Sequence, residues 1–255
     1  TSLVPADKMR EVALYGSELI YLLAFADLLL ATALGVWLGG WMRRPVGSDL
    51  AYLLLGLALA VPSLTVLARG LHPLLGGVPG GYLPVPLQLL SLAAVLGPFG
   101  LLAGVLFQRA SVGWVRAGHD LPTAYALDSA GGLAGGLAAT LLAATGSSNL
   151  EAALACGLGA AGLCVWAAWP GRHWGVAAAA ALVAAAVVAV ALGAPHIDRR
   201  TTVWQHPQVR AMADTPYGRV GVAVRAGQTA VLVNGALSYD SQDAGAEVLA
   251  HMAAL

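Results

Sequence analysis

The chain has 255 residues, 58% of them hydrophobic and 10% charged, with a formal net charge of zero at pH 7. A soluble domain carries about 25% charged residues, so this composition belongs to an integral membrane protein whose first partner is the lipid bilayer. The balanced charge provides no field to gather nucleic acid and argues against a nucleic-acid partner.

A hydrocarbon core about 30 Å thick requires roughly 20 apolar residues per spanning helix. Six runs meet this in chain order, at 12–42, 50–68, 84–108, 122–145, 150–169 and 174–193. The first is too long for one upright span and is expected to tilt, or to lay its start, "VALYGSE", along the interface. Charge and proline in "RRPVGSD" (43–49), the Gly- and Pro-rich stretch 69–86, and the polar "GRH" (171–173) separate neighbouring runs. "RAGHD" (116–120) reads as another turn. Arg43, Arg44, Arg109, Arg116 and Arg172 fall after the odd-numbered spans, whereas the even-numbered turns offer only Arg69. The positive-inside bias therefore sends the tail beyond residue 193 to the extracytoplasmic side, with Lys8, Arg10, Arg199 and Arg200 weighing the other way.

Three acids lie inside apolar runs: Glu18, Asp27 and Asp128. A carboxylate at membrane depth is costly unless it is paired, protonated or hydrated, so each is a candidate polar site. Glu18 and Asp27 are nine residues apart, which turns them to opposite sides of one helix. Asp128, beside Tyr125 and Ser129, reads either as a cation or proton site facing a cavity or as a hydrogen-bonded carboxylate near a helix end. Glycine pairs four apart (Gly100 and Gly104, Gly131 and Gly135, Gly132 and Gly136) are expected to pack against other helices of the bundle, with dimerisation as the alternative. "GLGAAG" (157–162) has the spacing of a dinucleotide loop but lies within a span, so helix packing is the expected reading. Cys156 and Cys164 stand about 12 Å apart on a helix and are not expected to pair. No cluster has metal-ligand spacing, and no Ser-His-Asp or Cys-His set is placed for catalysis. No metal site and no catalytic residue is assigned.

The composition changes near Pro195, dividing the chain into a membrane domain (1–194) and a small module (195–255). "HIDRR" and "WQHPQVR" (196–210) read as an interfacial collar of aromatic and basic residues. Period-two alternation predicts strands at 219–225 and 228–234, an Asn-Gly turn at 234–235, and a third strand in "ALSYD". A helix is expected to start near Asp243, its N-cap, and to carry Glu247 and His251 four residues apart. The fold class is thus a membrane α-helical bundle followed by a small antiparallel β-meander.

"YGSELIYLLAFADLLLATALGVWLGGWMRR" and "YALDSAGGLAGGLAATLLAATGSSNLEAALACGLGAAGL" together resemble the membrane half of fused major-facilitator/spermidine synthase proteins. In that family one helix ends in a small-residue element followed by Arg, and a later one carries an aromatic, Asp or Asn, and paired glycines. "TPYGRV" looks like the family's "SPYQ" strand, and "VLVNGALSYDSQDAGAEVLAHMAAL" looks like its "L-x-NG" turn and "E-x-x-x-H" helix start. The resemblance implies that the meander is the N-terminal lid beside a polyamine groove, with Tyr217, Asn234, Glu247 and His251 as groove or lid residues. It departs from the pattern at Gly218 and Ser238, where the family has Gln, and at Gly245 and Ala246 before Glu247.

It further implies that a Rossmann-like domain following Leu255 would bind decarboxylated S-adenosylmethionine, and that residues 1–255 hold no cofactor of their own. A bacterial inner membrane is the implied location, although a transferase lid belongs in the cytoplasm, opposite to the side given by the arginine count. The second expectation is a non-enzymatic membrane subunit, docking a partner or a second copy. The third is a small-cation transporter with Asp128 and Glu18 along its path.

Overall fold

The computed structural model describes residues 17–42, 46–81, 83–169, 173–215, 218–225 and 227–241. Among these, the helices are α1 (Ser17–Trp41), α2 (Val46–Leu74), α3 (Val85–Arg116), α4 (Leu121–Ala144), α5 (Asn149–Ala168), α6 (Trp174–Leu192) and α7 (Ala194–Gln205). Four strands follow, β1 (Val209–Thr215), β2 (Gly218–Arg225), β3 (Gln228–Val233) and β4 (Ala236–Asp240). Helices α1 to α6 are long and apolar enough to cross a bilayer, and the protein is an integral membrane protein.

Two spans run further than expected. Helix α2 continues past Arg69 to Leu74, and α3 continues eight residues past 108 to Arg116. Charge ends a hydropathy run, but it need not end a helix when a carboxylate meets it. Arg109 Nη2 stands 2.8 Å from Asp49 Oδ2 in the first turn of α2, and Arg109 Nη1 donates to the Met42 carbonyl at 2.9 Å. Arg109 is therefore a buried helix residue and not a turn charge. Arg116 remains for one end of the bundle, and Arg43, Arg44 and Arg172 lie outside the described residues. The exposed Arg199, Arg200 and Arg210 stand at the other, so little asymmetry survives.

Small residues set the closest approaches. A Cβ at Gly104 would overlap the Thr32 carbonyl, and one at Gly35 would overlap that of Leu101, so α1 and α3 touch backbone to backbone. Gly157 lies against Ala58 and Pro62 of α2, where a Cβ would come within 3.0 Å of the Ala58 carbonyl oxygen. Helix α5 also packs on α6 through an alanine-rich core containing Ala51, Cys164, Ala168 and Ala180. Both thiols are free, and buried Cys164 donates to the Ala51 carbonyl at 3.0 Å. Ser148 and Glu151 form a reciprocal capping box that starts α5.

The glycine pairs of α4 depart from expectation. Gly131, Gly132, Gly135 and Gly136 have no atom within 4 Å of a built Cβ, and α4 buries no residue. They do not pack within the bundle as Gly100 and Gly104 do, because α4 stands out from the other helices.

The expected collar at 196–210 is instead α7 followed by the start of β1. Pro195 sits in the first turn of α7, where a missing N–H does no harm. The meander has four antiparallel strands in the order β1-β2-β3-β4, one more than predicted. Between β3 and β4, Asn234 (φ 52°) and Gly235 (φ 85°) both take positive φ, as a type I′ hairpin turn requires.

Candidate functional site

Bundle and sheet meet at a junction built around Asp198 of α7. Arg69 of α2 brings Nη2 to 2.6 Å from Asp198 Oδ1, and its Nη1 donates to Thr201 Oγ1 at 2.7 Å. Arg219 of β2 donates from Nη2 to Asp198 Oδ2 at 2.5 Å, while its Nε lies 3.5 Å from Asp214 of β1. Two guanidinium groups and two carboxylates balance, so a membrane helix, the connecting helix and the sheet share one neutral cluster. A carboxylate that takes two arginines from separate elements fixes their relative position more than a single exposed pair could.

A second seam runs through the α2–α3 loop. The Leu237 N–H donates to the Gly80 carbonyl at 3.0 Å, making a short parallel bridge to β4. Gly80 has φ 81°, a conformation in which a side chain would be strained. The loop thus covers part of an otherwise open sheet edge.

Two cavities flank this seam. The larger, about 440 Å³, is lined by Val78, Gln208, Gln228, Leu232 and Asp240 with His206. The smaller, about 260 Å³, is lined by Ile20, His72, Gln88, Ser91 and Asn234, again with His206. His206 is 4% exposed and sits where α7 ends, between the two spaces. Burial first, then the His72 and Arg219 charges, hold its pKa below the usual imidazole value, which favours the neutral ring. Several walls are already committed: His72 Nε2 is 3.0 Å from the Gly81 carbonyl, and Gln88 Nε2 donates to the Leu83 carbonyl at 2.7 Å. Among the described residues the lining offers hydrogen-bonding groups that can bind and position a ligand.

Asn234, the groove candidate among the described residues, reaches this junction. Its Oδ1 accepts from the Arg219 N–H at 2.9 Å, and its own N–H donates to the Arg219 carbonyl at 2.7 Å. This bonding also accounts for Gly218. A Cβ there would collide with Asn234 Oδ1, and φ is 148°, so the Gln of the family pattern cannot occupy this backbone. Tyr217, Glu247 and His251 lie outside the described residues, as does the Glu18 side chain, whose backbone is in α1. Asp27 is half-buried in α1 with Oδ2 lacking a hydrogen-bond partner, and Asp128 is exposed on α4. The structure does not bring Asp27 and Asp128 to the junction.

"GLGAAG" forms part of α5, so its N–H groups serve the helix and offer no cradle for a phosphate or an S-adenosyl group. This motif therefore does not fit the phosphate-cradling role that its spacing suggests. Asp198, Arg69, Arg219 and His206 were not singled out from sequence as a site. The available signal was Arg69 at the end of the second apolar run, where a guanidinium close to membrane depth demands a partner, with "HIDRR" just past the sixth run as a charged segment that holds a carboxylate. No protein-family model, curated protein or solved structure matches the chain.

Proposed function

We propose that the protein is a spermidine-synthase-like membrane protein of a bacterial inner membrane, in which the helical bundle holds a β-meander lid beside a polyamine groove. The observation that carries this reading is the Asp198 cluster, which fixes the meander to the bundle with its cavity-lining face turned toward the helices. Asn234 supports it by shaping the turn at the edge of the smaller cavity. On this reading residues 1–255 anchor and position the lid, and aminopropyl transfer from decarboxylated S-adenosylmethionine belongs to residues outside them. The sheet then faces the cytoplasm, which the weak arginine asymmetry permits.

The test begins with the intact mass of the native protein, compared with the 25.8 kDa of these residues. It continues with an assay for transfer from decarboxylated S-adenosylmethionine to putrescine, and labelling of a cysteine at Ser241. A larger mass, transfer and protection from external reagent are expected. External labelling, or a mass of 25.8 kDa with no transfer, sinks the enzyme reading.

One observation favours a second reading, a membrane subunit that docks a partner. The sheet face turned away from the cavities carries Val220, Val222, Val231, Val233 and Tyr239, of which Val220, Val233 and Tyr239 are more than a third exposed. An apolar sheet face of this kind is commonly covered by a further domain or another protein. Co-purification of a single stoichiometric partner, lost in Val233→Lys, would favour the subunit.

A further inference from the structure

Helix α4 leaves a cleft against α3 of about 440 Å³, lined by Leu57, Leu106, Phe107, Ser111, Trp114 and Asp128. Asp128 is seven residues past the first residue of α4, or about 10 Å along its axis, which places it within the hydrocarbon core and clear of the headgroups. Its carboxylate is exposed and has no hydrogen bond or ion pair among the described residues. An intramembrane carboxylate on an open cleft calls for a counter-charge.

The opposite wall makes its own demand. Trp114 Nε1 is buried and has no acceptor, and the indole is held by stacking on His119 at a ring distance of 4.0 Å. Phe107 and Tyr125 close one side as a tilted ring pair 5.2 Å apart. A carboxylate among aromatic rings is the chemistry that recognises an ammonium group, and the unpartnered indole N–H asks for an acceptor oxygen close to it. One turn further on, Gly131 and Gly132 have nothing within 4 Å, leaving an open face of α4 without side chains, against which an alkyl chain can lie.

We infer that the α3–α4 cleft binds a protonated amine with a neighbouring oxygen acceptor, carried on an alkyl chain. Asp128 takes the ammonium, Trp114 donates to the oxygen, and the glycine face seats the chain. An aminolipid headgroup and a free long-chain amino alcohol share this chemistry. The site is separate from the sheet junction and does not depend on the transferase reading.

Native mass spectrometry of the full chain in an uncharged detergent tests it. The probes are 2-aminododecanol, its neutral counterpart 1,2-dodecanediol, phosphatidylethanolamine, and phosphatidylglycerol with the same chains. One saturable copy of the amino alcohol per chain is expected, with at least tenfold weaker binding in Asp128→Asn and retention in Asp128→Glu. Ala124→Phe fills the cleft without removing a polar group and should abolish binding even if Asp128→Asn is poorly folded. Displacement of the amino alcohol by phosphatidylethanolamine assigns the site to a lipid headgroup, and failure of displacement assigns it to a free amine. Wild-type binding in both Asp128→Asn and Ala124→Phe overturns the inference. Binding of the diol or phosphatidylglycerol as tight as that of the amines overturns it equally.

Discussion

Helix α2 carries a charge centre near each end, and the two are built differently. At one end Asp49 meets Arg109 of α3, with side chains 1% and 4% exposed, an ion pair sealed inside the bundle. At the other, Asp198 is shared by Arg69 and Arg219, with exposures of 8% to 19%, where membrane and sheet meet. The first joins two helices that apolar packing already holds. The second joins two regions with little common core, so the same ionic chemistry stabilises the bundle at one end and sets domain geometry at the other.

Breaking the sealed pair should have the largest effect. Arg109→Met leaves the Asp49 carboxylate buried without a counter-charge, and removing one partner of a buried pair costs about 3–5 kcal/mol. A lowered unfolding temperature in detergent would register it. Asp49→Leu combined with Arg109→Met should recover most of the loss, since apolar replacement of a whole buried pair is often neutral. If the double variant is as unstable as the single, the pair is not acting by charge.

Asp198→Asn should come next, at about 2–3 kcal/mol, because it strands two arginines that keep some access to water. The loss should be local: hydrogen exchange in β1 to β4 rises while α1 to α6 keep their protection. Uniform loosening of the bundle would show that the two ends are not separable. Gly218→Gln should cost about 1–3 kcal/mol through backbone strain and the collision with Asn234. Its signature is faster exchange at the Arg219 and Asn234 amides, and a variant with unchanged exchange would mean that the turn can reshape around a side chain.

The comparison also shows what the sequence can carry. Six spans were legible as long apolar runs, and three of the four strands by alternation and turn residues, because each rests on a local pattern. Strand β1 was missed, since "VRAMADT" alternates but is short of branched and aromatic residues, and a bulge between Val209 and Ala211 interrupts its register. Helix α7 was hidden by "HIDRR", whose charge resembles a headgroup collar until Arg69 and Arg219 supply partners from distant positions. Pairings such as Asp49 with Arg109 depend on which helices become neighbours, and no local pattern records that. Asp128 was legible as an exception in an apolar run, but its cleft was not, because its shape depends on α4 standing out from the bundle.

The smallest effect should come from pH, and it acts on the sheet end alone. His206 has a folded pKa below its ordinary value, so the folded state takes up a proton less readily than the unfolded one. Stability is then fully present above the unfolded imidazole value of about 6.5 and falls as the pH drops below it, toward the folded pKa. Hydrogen-exchange protection in β2 to β4, taken relative to the intrinsic exchange rate at each pH, should therefore fall between about pH 7 and pH 5. His206→Gln keeps a polar ring-sized group without the titration and should remove the step. If the step survives in that variant, the pH response lies elsewhere in the junction.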